Sequence, residues 1–219
     1  MGKVDVLLYF IMGSINAKDP LRVLEAALEG GITCFQLREK GSCALQGKEK
    51  KAFAESCQRL CYQFDVPFII NDDVDLALEL NADGVHIGQD DAEARSVRRR
   101  IGTSKVLGVS VHTVEEAKKA IEDGVDYVGM GPVYQTTSKE DAKSVAGTAV
   151  IKEVATLYPD LPIVGIGGIT VDNGAPVFQA GAHGISVISA IARAKNPKMA
   201  TEILKEKALQ WRNERSLVQ

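Results

Sequence analysis

The chain has 219 residues, of which 45% are hydrophobic and 25% charged, with a formal net charge of -3. This is a globular composition with enough apolar material for a sizeable core, and it excludes a low-complexity or disordered chain. The slightly acidic balance gives no electrostatic footprint for nucleic acid, and no apolar run reaches the roughly 18 residues a membrane helix needs.

The elements follow one another with little interruption. A first β-prone run, Leu7–Ile11, leads to Asp19-Pro20, a helix N-cap and N1 pair, and to a helix over Asp19–Glu29 with Leu21, Leu24 and Leu28 on one face. A second run, Cys34–Leu37, closes on Gln36-Leu37-Arg38-Glu39-Lys40, and alternation along that strand is expected to send Arg38 and Lys40 to one side. The stretch Lys48–Phe64 reads as a helix whose stripe holds Phe53, Cys57, Leu60 and Phe64. Cys57 and Cys61, one turn apart, read as buried thiols. Runs three and four, Phe68–Ile70 and Gly84–Ile87, end in Asn71-Asp72-Asp73 and Gly88-Gln89-Asp90-Asp91, with Asp73 and Asp90 placed to cap the helices that follow. Arg98-Arg99-Arg100 falls in a helical stretch and reads as a solvated face.

Run five, Val106–Val111, carries Ser110. The next helix, Thr113–Asp123, opens with a Thr-Val-Glu-Glu capping box and stops at Gly124. Run six, Tyr127–Val133, enters the polar loop Gln135–Val145, which contains Thr136-Thr137-Ser138-Lys139 and is long enough to serve as a lid. Runs seven and eight, Ile163–Ile166 and Gly184–Ile188, are followed by Gly167-Gly168-Ile169 and by Ser189, and Lys195–Gln219 closes the chain as a helix with a charged tail from about 212. Near-continuous apolar strands alternating with helices through short connections indicate a parallel sheet covered on both faces. Eight such units are the signature of a single (β/α)8 TIM barrel over residues 1–219. An open doubly wound sheet competes less well, because no G-x-G-x-x-G follows the first strand.

In such a barrel the loops after the strands form one mouth, so charged strand ends converge there. Neighbouring parallel strands lie about 4.8 Å apart, so Asp72 and Asp91 are expected to reach one ion. Hard carboxylate oxygens suit the Mg2+ that accompanies oligophosphates. Arg38, Lys40 and Lys139 supply positive charge, and Asn71 an amide, to the same mouth. The glycines Gly167 and Gly168 and the cap residue Ser189 suggest a second anion site built from backbone N–H groups. No Ser/His/Asp or Cys/His set is apparent; His86, His112 and His183 are scattered, and His86 and His112 read as structural. The four cysteines show no metal spacing. The apolar stretch Val4–Met12 lacks the layout of a signal peptide, and Val6 stands where a myristoylation motif needs Ser or Thr, so a reduced cytoplasmic protein is expected.

Together, Tyr9–Ser14, Gln36–Lys40, Asn71–Asp73, Gly84–Asp91, Leu107–Thr113, Asp126–Tyr134, Ile163–Ile169 and Gly184–Ala190 resemble the thiamine-phosphate synthase (thiamine phosphate pyrophosphorylase) family across nearly the whole chain. The resemblance implies a Mg2+-dependent transferase that joins 4-amino-5-hydroxymethyl-2-methylpyrimidine diphosphate to a thiazole phosphate and releases pyrophosphate. By position, Gln36, Leu37, Arg38, Glu39, Lys40, Asn71, Ser110 and Lys139 are expected to hold the pyrimidine diphosphate, and Asp72 and Asp91 the metal. Thr136, Thr137, Ser138, Gly168, Ile188 and Ser189 are expected to hold the thiazole phosphate. Arg38, Lys40, Lys139 and Ser110 are the expected catalytic set. The partners are thus small molecules, with no nucleic acid or membrane, and an oligomer is compatible with the sequence. Two departures fall in the lid: Gln135 stands where Pro is expected and Ser138 where Thr is usual. The alternatives are a thiazole tautomerase-like isomerase of the same fold and a catalytically silent precursor-binding protein. The first is disfavoured by Pro132, which stands where that branch has its histidine.

Overall fold

The computed structural model describes residues 4–89, 91–138 and 144–216. Its strands are β1 (Leu8–Met12), β2 (Cys34–Leu37), β3 (Phe68–Asn71), β4 (Gly84–Ile87), β5 (Val106–Val111), β6 (Tyr127–Met130), β7 (Ile163–Ile166) and β8 (Gly184–Val187). They form one closed parallel barrel in sequence order, with β8 pairing back onto β1. The connecting helices are α1 (Pro20–Gly30), α2 (Gly47–Gln63), α3 (Val74–Glu79), α4 (Ala94–Ile101), α5 (Val114–Glu122), α6 (Ala149–Leu157) and α7 (Ala175–Gln179). A short α8 (Ser189–Ala192) and a long α9 (Pro197–Ser216) follow β8.

The period-two geometry of a strand splits the core into two clusters. Outward residues such as Phe10, Phe35, Leu37, Phe68 and Ile70 join the large cluster beneath the helices. Inward Tyr9, Ile11, Cys34, Ile69, Val106, Tyr127 and Val164 fill the barrel. Full burial of each Phe stabilises the fold by about 1.5–3 kcal/mol. Crowding inside the barrel dictates Gly108, where an added Cβ would lie 2.1 Å from the Tyr127 ring.

Capping follows the local sequence closely. The Asp19 carboxylate accepts from the Arg22 N–H, and Gly31 ends α1 in the left-handed region at φ 91°. Thr113 caps α5 by accepting from the Glu116 N–H, but the Glu116 carboxylate accepts from the N–H of His112 (2.6 Å), one residue earlier than a capping box requires. Asp73 caps α3 through the Leu76 N–H. The cap role expected for Asp90 lies outside the described residues.

Four expectations are corrected. β2 ends at Leu37, so Arg38 and Lys40 stand on the loop beyond the strand rather than alternating along it. β6 stops at Met130, because Pro132 has no N–H to continue the ladder. Arg98 is not solvated: it pairs with Asp126 and donates to the carbonyls of Gly102, Lys105 and Gly124, tying α4 to the bottom of β5 and β6. The stretch from 212, expected as a charged tail, continues α9 to Ser216, and the Arg215 guanidinium donates to the Ala182 carbonyl (2.8 Å) just before β8. Cys57 and Cys61 are buried free thiols, and burial pushes the Cys57 thiol up to about 12.

Candidate active site

The loops after β2, β3 and β4 bring three charges together. Lys40 Nζ lies 3.1 Å from an oxygen of Asp72 and 3.6 Å from one of Asp91, and the two acid side chains are 25% and 27% exposed. Asp72 adopts φ 63°, a left-handed conformation that Asp tolerates better than most residues, and its N–H donates to the His86 carbonyl (2.8 Å). This bond to the neighbouring strand turns the carboxylate toward β4, where Asp91 accepts from the Gly88 N–H (2.8 Å). Burial pushes Asp72 above the usual carboxylate range and the neighbouring Asp91 adds to this, while Lys40 pulls against both. Burial acts the same way on Asp91, but the hydrogen bonds with Asp72, Gly88 and Lys40 outweigh it and hold Asp91 below that range.

Asp72 and Asp91 suit a hard divalent cation. An ammonium already bridges their oxygens, and no cluster of three or more His, Cys, Asp or Glu side chains that would hold a softer metal occurs among the described residues. With two protein oxygens, an ion here would complete its shell from water and phosphate, as Mg2+ commonly does.

Two residues named from the sequence offer the mouth only their backbone. Leu37 packs outward under the helices. The Glu39 carboxylate accepts from the Ser14 N–H, from Ser14 Oγ (2.9 Å) and from the Leu45 N–H (2.9 Å), bracing the loop that carries Arg38 and Lys40. Asn71 ends β3 beside His86 of β4.

Across the mouth, a cavity of about 30 Å3 is lined by Thr136, Ser138, Gly167, Gly168, Ile188 and Ser189, among others. Among the described residues that line it, none carries a charged side chain. Gly168 sits at φ 64°, where an added Cβ would come 2.6 Å from the Gln135 carbonyl, so the backbone must be bare at this point. Ser138 Oγ donates to Ser189 Oγ (3.2 Å), drawing the lid base toward α8, while Thr136 Oγ1 accepts from the Ser138 N–H (3.2 Å). Thr137 is exposed. Ser189 is not the cap of α8 that the sequence suggested; Ile188 occupies that position and Ser189 is the first helical residue. Lys139 lies outside the described residues.

A third region joins Gln36 and Ser110, both expected from the sequence to hold the pyrimidine diphosphate, to three residues given no such role. Below the mouth, Gln36 Nε2 donates to Tyr9 Oη (3.0 Å), Tyr9 Oη lies 2.8 Å from Tyr127 Oη, Tyr127 Oη 2.9 Å from His86 Nδ1, and His86 Nε2 3.0 Å from Ser110 Oγ. These residues and Ser186 line a cavity of about 20 Å3. Tyr9, Tyr127 and His86 were read as parts of apolar or structural strands. Their signal was polarity at inward positions of successive strands, which becomes legible only once register is known.

The family model described as thiamine monophosphate synthase matches residues 8–191, from β1 through α8. This chain belongs to that family. Among its relatives, the thiamine-phosphate synthase of Bacillus licheniformis is 61% identical over 91% of this chain and 89% of its own length. That of Geobacillus thermodenitrificans is 55% identical over 92% and 91%. Among solved structures, a thiamine phosphate pyrophosphorylase from Pyrococcus furiosus superposes with a TM-score of 0.84 at 32% identity, covering 95% of this chain and 98% of that one.

Proposed function

We propose that the chain condenses 4-amino-5-hydroxymethyl-2-methylpyrimidine diphosphate with a thiazole phosphate to give thiamine phosphate and pyrophosphate. The observation that carries this reading is the Lys40–Asp72–Asp91 constellation at one side of a mouth whose other side is a cavity lined by glycines and hydroxyls. The first suits a metal-bound diphosphate and the second a monophosphate held by backbone N–H groups. Family membership and relatives named thiamine-phosphate synthase support the same assignment.

In this reading Asp72 and Asp91 would hold Mg2+, which would supply positive charge to the diphosphate. Lys40 and Arg38 take up the remaining charge as the C–O bond to pyrophosphate breaks, with Lys139 assigned the same task from the lid. The electron-rich aminopyrimidine stabilises a transient methylene cation, and the thiazole nitrogen attacks it without losing a proton. No general base is therefore required, and catalysis reduces to charge stabilisation and alignment of the two rings. Gly168, Ile188, Ser189 and the Thr136–Ser138 segment fix the thiazole phosphate. No helix among the described residues is long and apolar enough to cross a membrane.

The test is to supply both precursors and follow thiamine phosphate and pyrophosphate together. Equimolar products that vanish with a chelator and return with Mg2+ are expected. Thiazole phosphate binding without condensation would point instead to a silent binding protein, and isomerisation of the thiazole alone to a tautomerase.

A further inference from the structure

Lys40 stands where a divalent cation is wanted. Its Nζ lies 3.1 Å from Oδ2 of Asp72 and 3.6 Å from Oδ1 of Asp91. Mg2+ binds oxygen at about 2.1 Å, so an ion on that Asp72 oxygen would stand no farther than about 5.2 Å from the ammonium. Two cations that close repel each other and draw on the same lone pairs. Bare Mg2+ gains little in return, because two carboxylates leave most of its octahedral shell to water.

The backbone is not free to carry the ammonium away. Glu39, the residue before Lys40, accepts from the Ser14 N–H, from Ser14 Oγ and from the Leu45 N–H, which ties the main chain to the segments on either side. The Lys40 side chain, by contrast, is 42% exposed, so its flexible four-carbon stem can swing through solvent without disturbing the core. A diphosphate gives it somewhere to go, since charge-assisted bonds to phosphate oxygens replace those to the acids. The same oxygens fill the coordination places that the two carboxylates leave open. Metal and diphosphate arriving together therefore satisfy what each lacks alone.

We propose that Lys40 is a built-in competitor for the divalent ion, so that the Asp72–Asp91 pair admits the metal–diphosphate complex and rejects the free metal. As the complex enters, the ammonium leaves the carboxylates for the diphosphate and the ion takes its place. Metal and diphosphate then raise each other's affinity by one and the same factor, as linkage requires. The inference rests on the diphosphate reading of the site given above and adds to it the form in which that ligand is accepted.

The experiment uses Mn2+ alone as the probe, titrated into substrate-free protein and followed by its paramagnetic resonance signal. Lys40→Ala is expected to tighten Mn2+ binding about tenfold over wild type. Adding Asp91→Asn to that variant should abolish the gain, which places the ion at the pair. The same Lys40→Ala protein should bind inorganic pyrophosphate, measured by calorimetry at saturating Mg2+, about tenfold more weakly. Loss of a merely structural contact would weaken both ligands, so the opposite signs are the signature of competition. Lys50→Ala controls for net charge. Lys50 pairs with Asp73 at 2.6 Å, beside Asp72, and its loss should move Mn2+ affinity by less than about twofold. Mn2+ affinity that is unchanged or lower in folded Lys40→Ala protein would overturn the proposal, as would equal tightening by Lys50→Ala. Lys40→Met, which keeps a long stem, carries the same test should Lys40→Ala fail to fold. Wild-type protein that forms no thiamine phosphate would defeat the function itself, a separate outcome that leaves the Mn2+ comparison intact.

Discussion

The two sides of the barrel mouth are built by opposite means, though in the proposed reading each meets a phosphate oxygen. On the β2–β4 side the groups are side chains, a lysine between two acids on loops braced by Glu39. On the β7–β8 side they are backbone and hydroxyls, with Gly167 and Gly168 at positive φ and a serine pair closing the cavity. A diphosphate that must leave needs charge that follows it, whereas a monophosphate that only anchors a ring needs shape and N–H donors. The contrast predicts chemistry to fail on the first side and binding to weaken on the second.

The largest effect should come from Asp91→Asn, which keeps the shape but removes the acid held ionised. The expected loss in kcat is about a hundred- to a thousandfold, read from pyrophosphate release at saturating Mg2+. A change confined to the KM of the thiazole phosphate would break the comparison. Lys40→Ala should slow single-turnover chemistry by about tenfold or more, with thiazole-phosphate affinity almost unmoved. On the glycine side, Gly168→Ala places a methyl against the Gln135 carbonyl and should raise the thiazole-phosphate KM by roughly tenfold while sparing diphosphate binding. Ser138→Ala loses one neutral hydrogen bond and should cost only about two- to fivefold in that KM.

The smallest effect lies away from both sides. Asp123, whose side chain is 2% exposed, is pushed up by burial, but its bonds to Lys119 and Arg95 outweigh this and hold it below the ordinary carboxylate range. A depressed native value means its contribution is complete above the unfolded value of about 3.9 and is lost as pH falls through the native one. Asp123→Asn should therefore flatten the acid limb of a stability–pH curve without altering the activity of the folded enzyme. An acid limb of unchanged steepness would assign the loss to other carboxylates.

The barrel was legible because its signals are local. Apolar runs between glycine or asparagine stops marked β2, β4, β5 and β7 to the residue, and the error at β6 came from reading through Pro132. The charged side of the mouth was legible for a related reason: Lys40, Asp72 and Asp91 follow strands, and a closed barrel places all such positions at one rim. What stayed hidden depends on register. Tyr9 and Tyr127 look like ordinary strand aromatics until β1 and β6 face each other across the lumen, where Gly108 leaves room for the Tyr127 ring and Gly129 for His86. Glu39 was unreadable as a brace, since its partners Ser14 and Leu45 belong to loops with no pattern of their own.

The lysine between the two acids has a practical corollary. With Nζ spanning both carboxylates, like charges are already compensated, so the native state does not wait on ion supply to reach its final form. Stripping divalents should silence turnover yet leave the melting temperature nearly where it was, and the protein should recharge on simple readdition. Proteins whose folding is driven by their metal, such as zinc fingers, unravel under the same treatment.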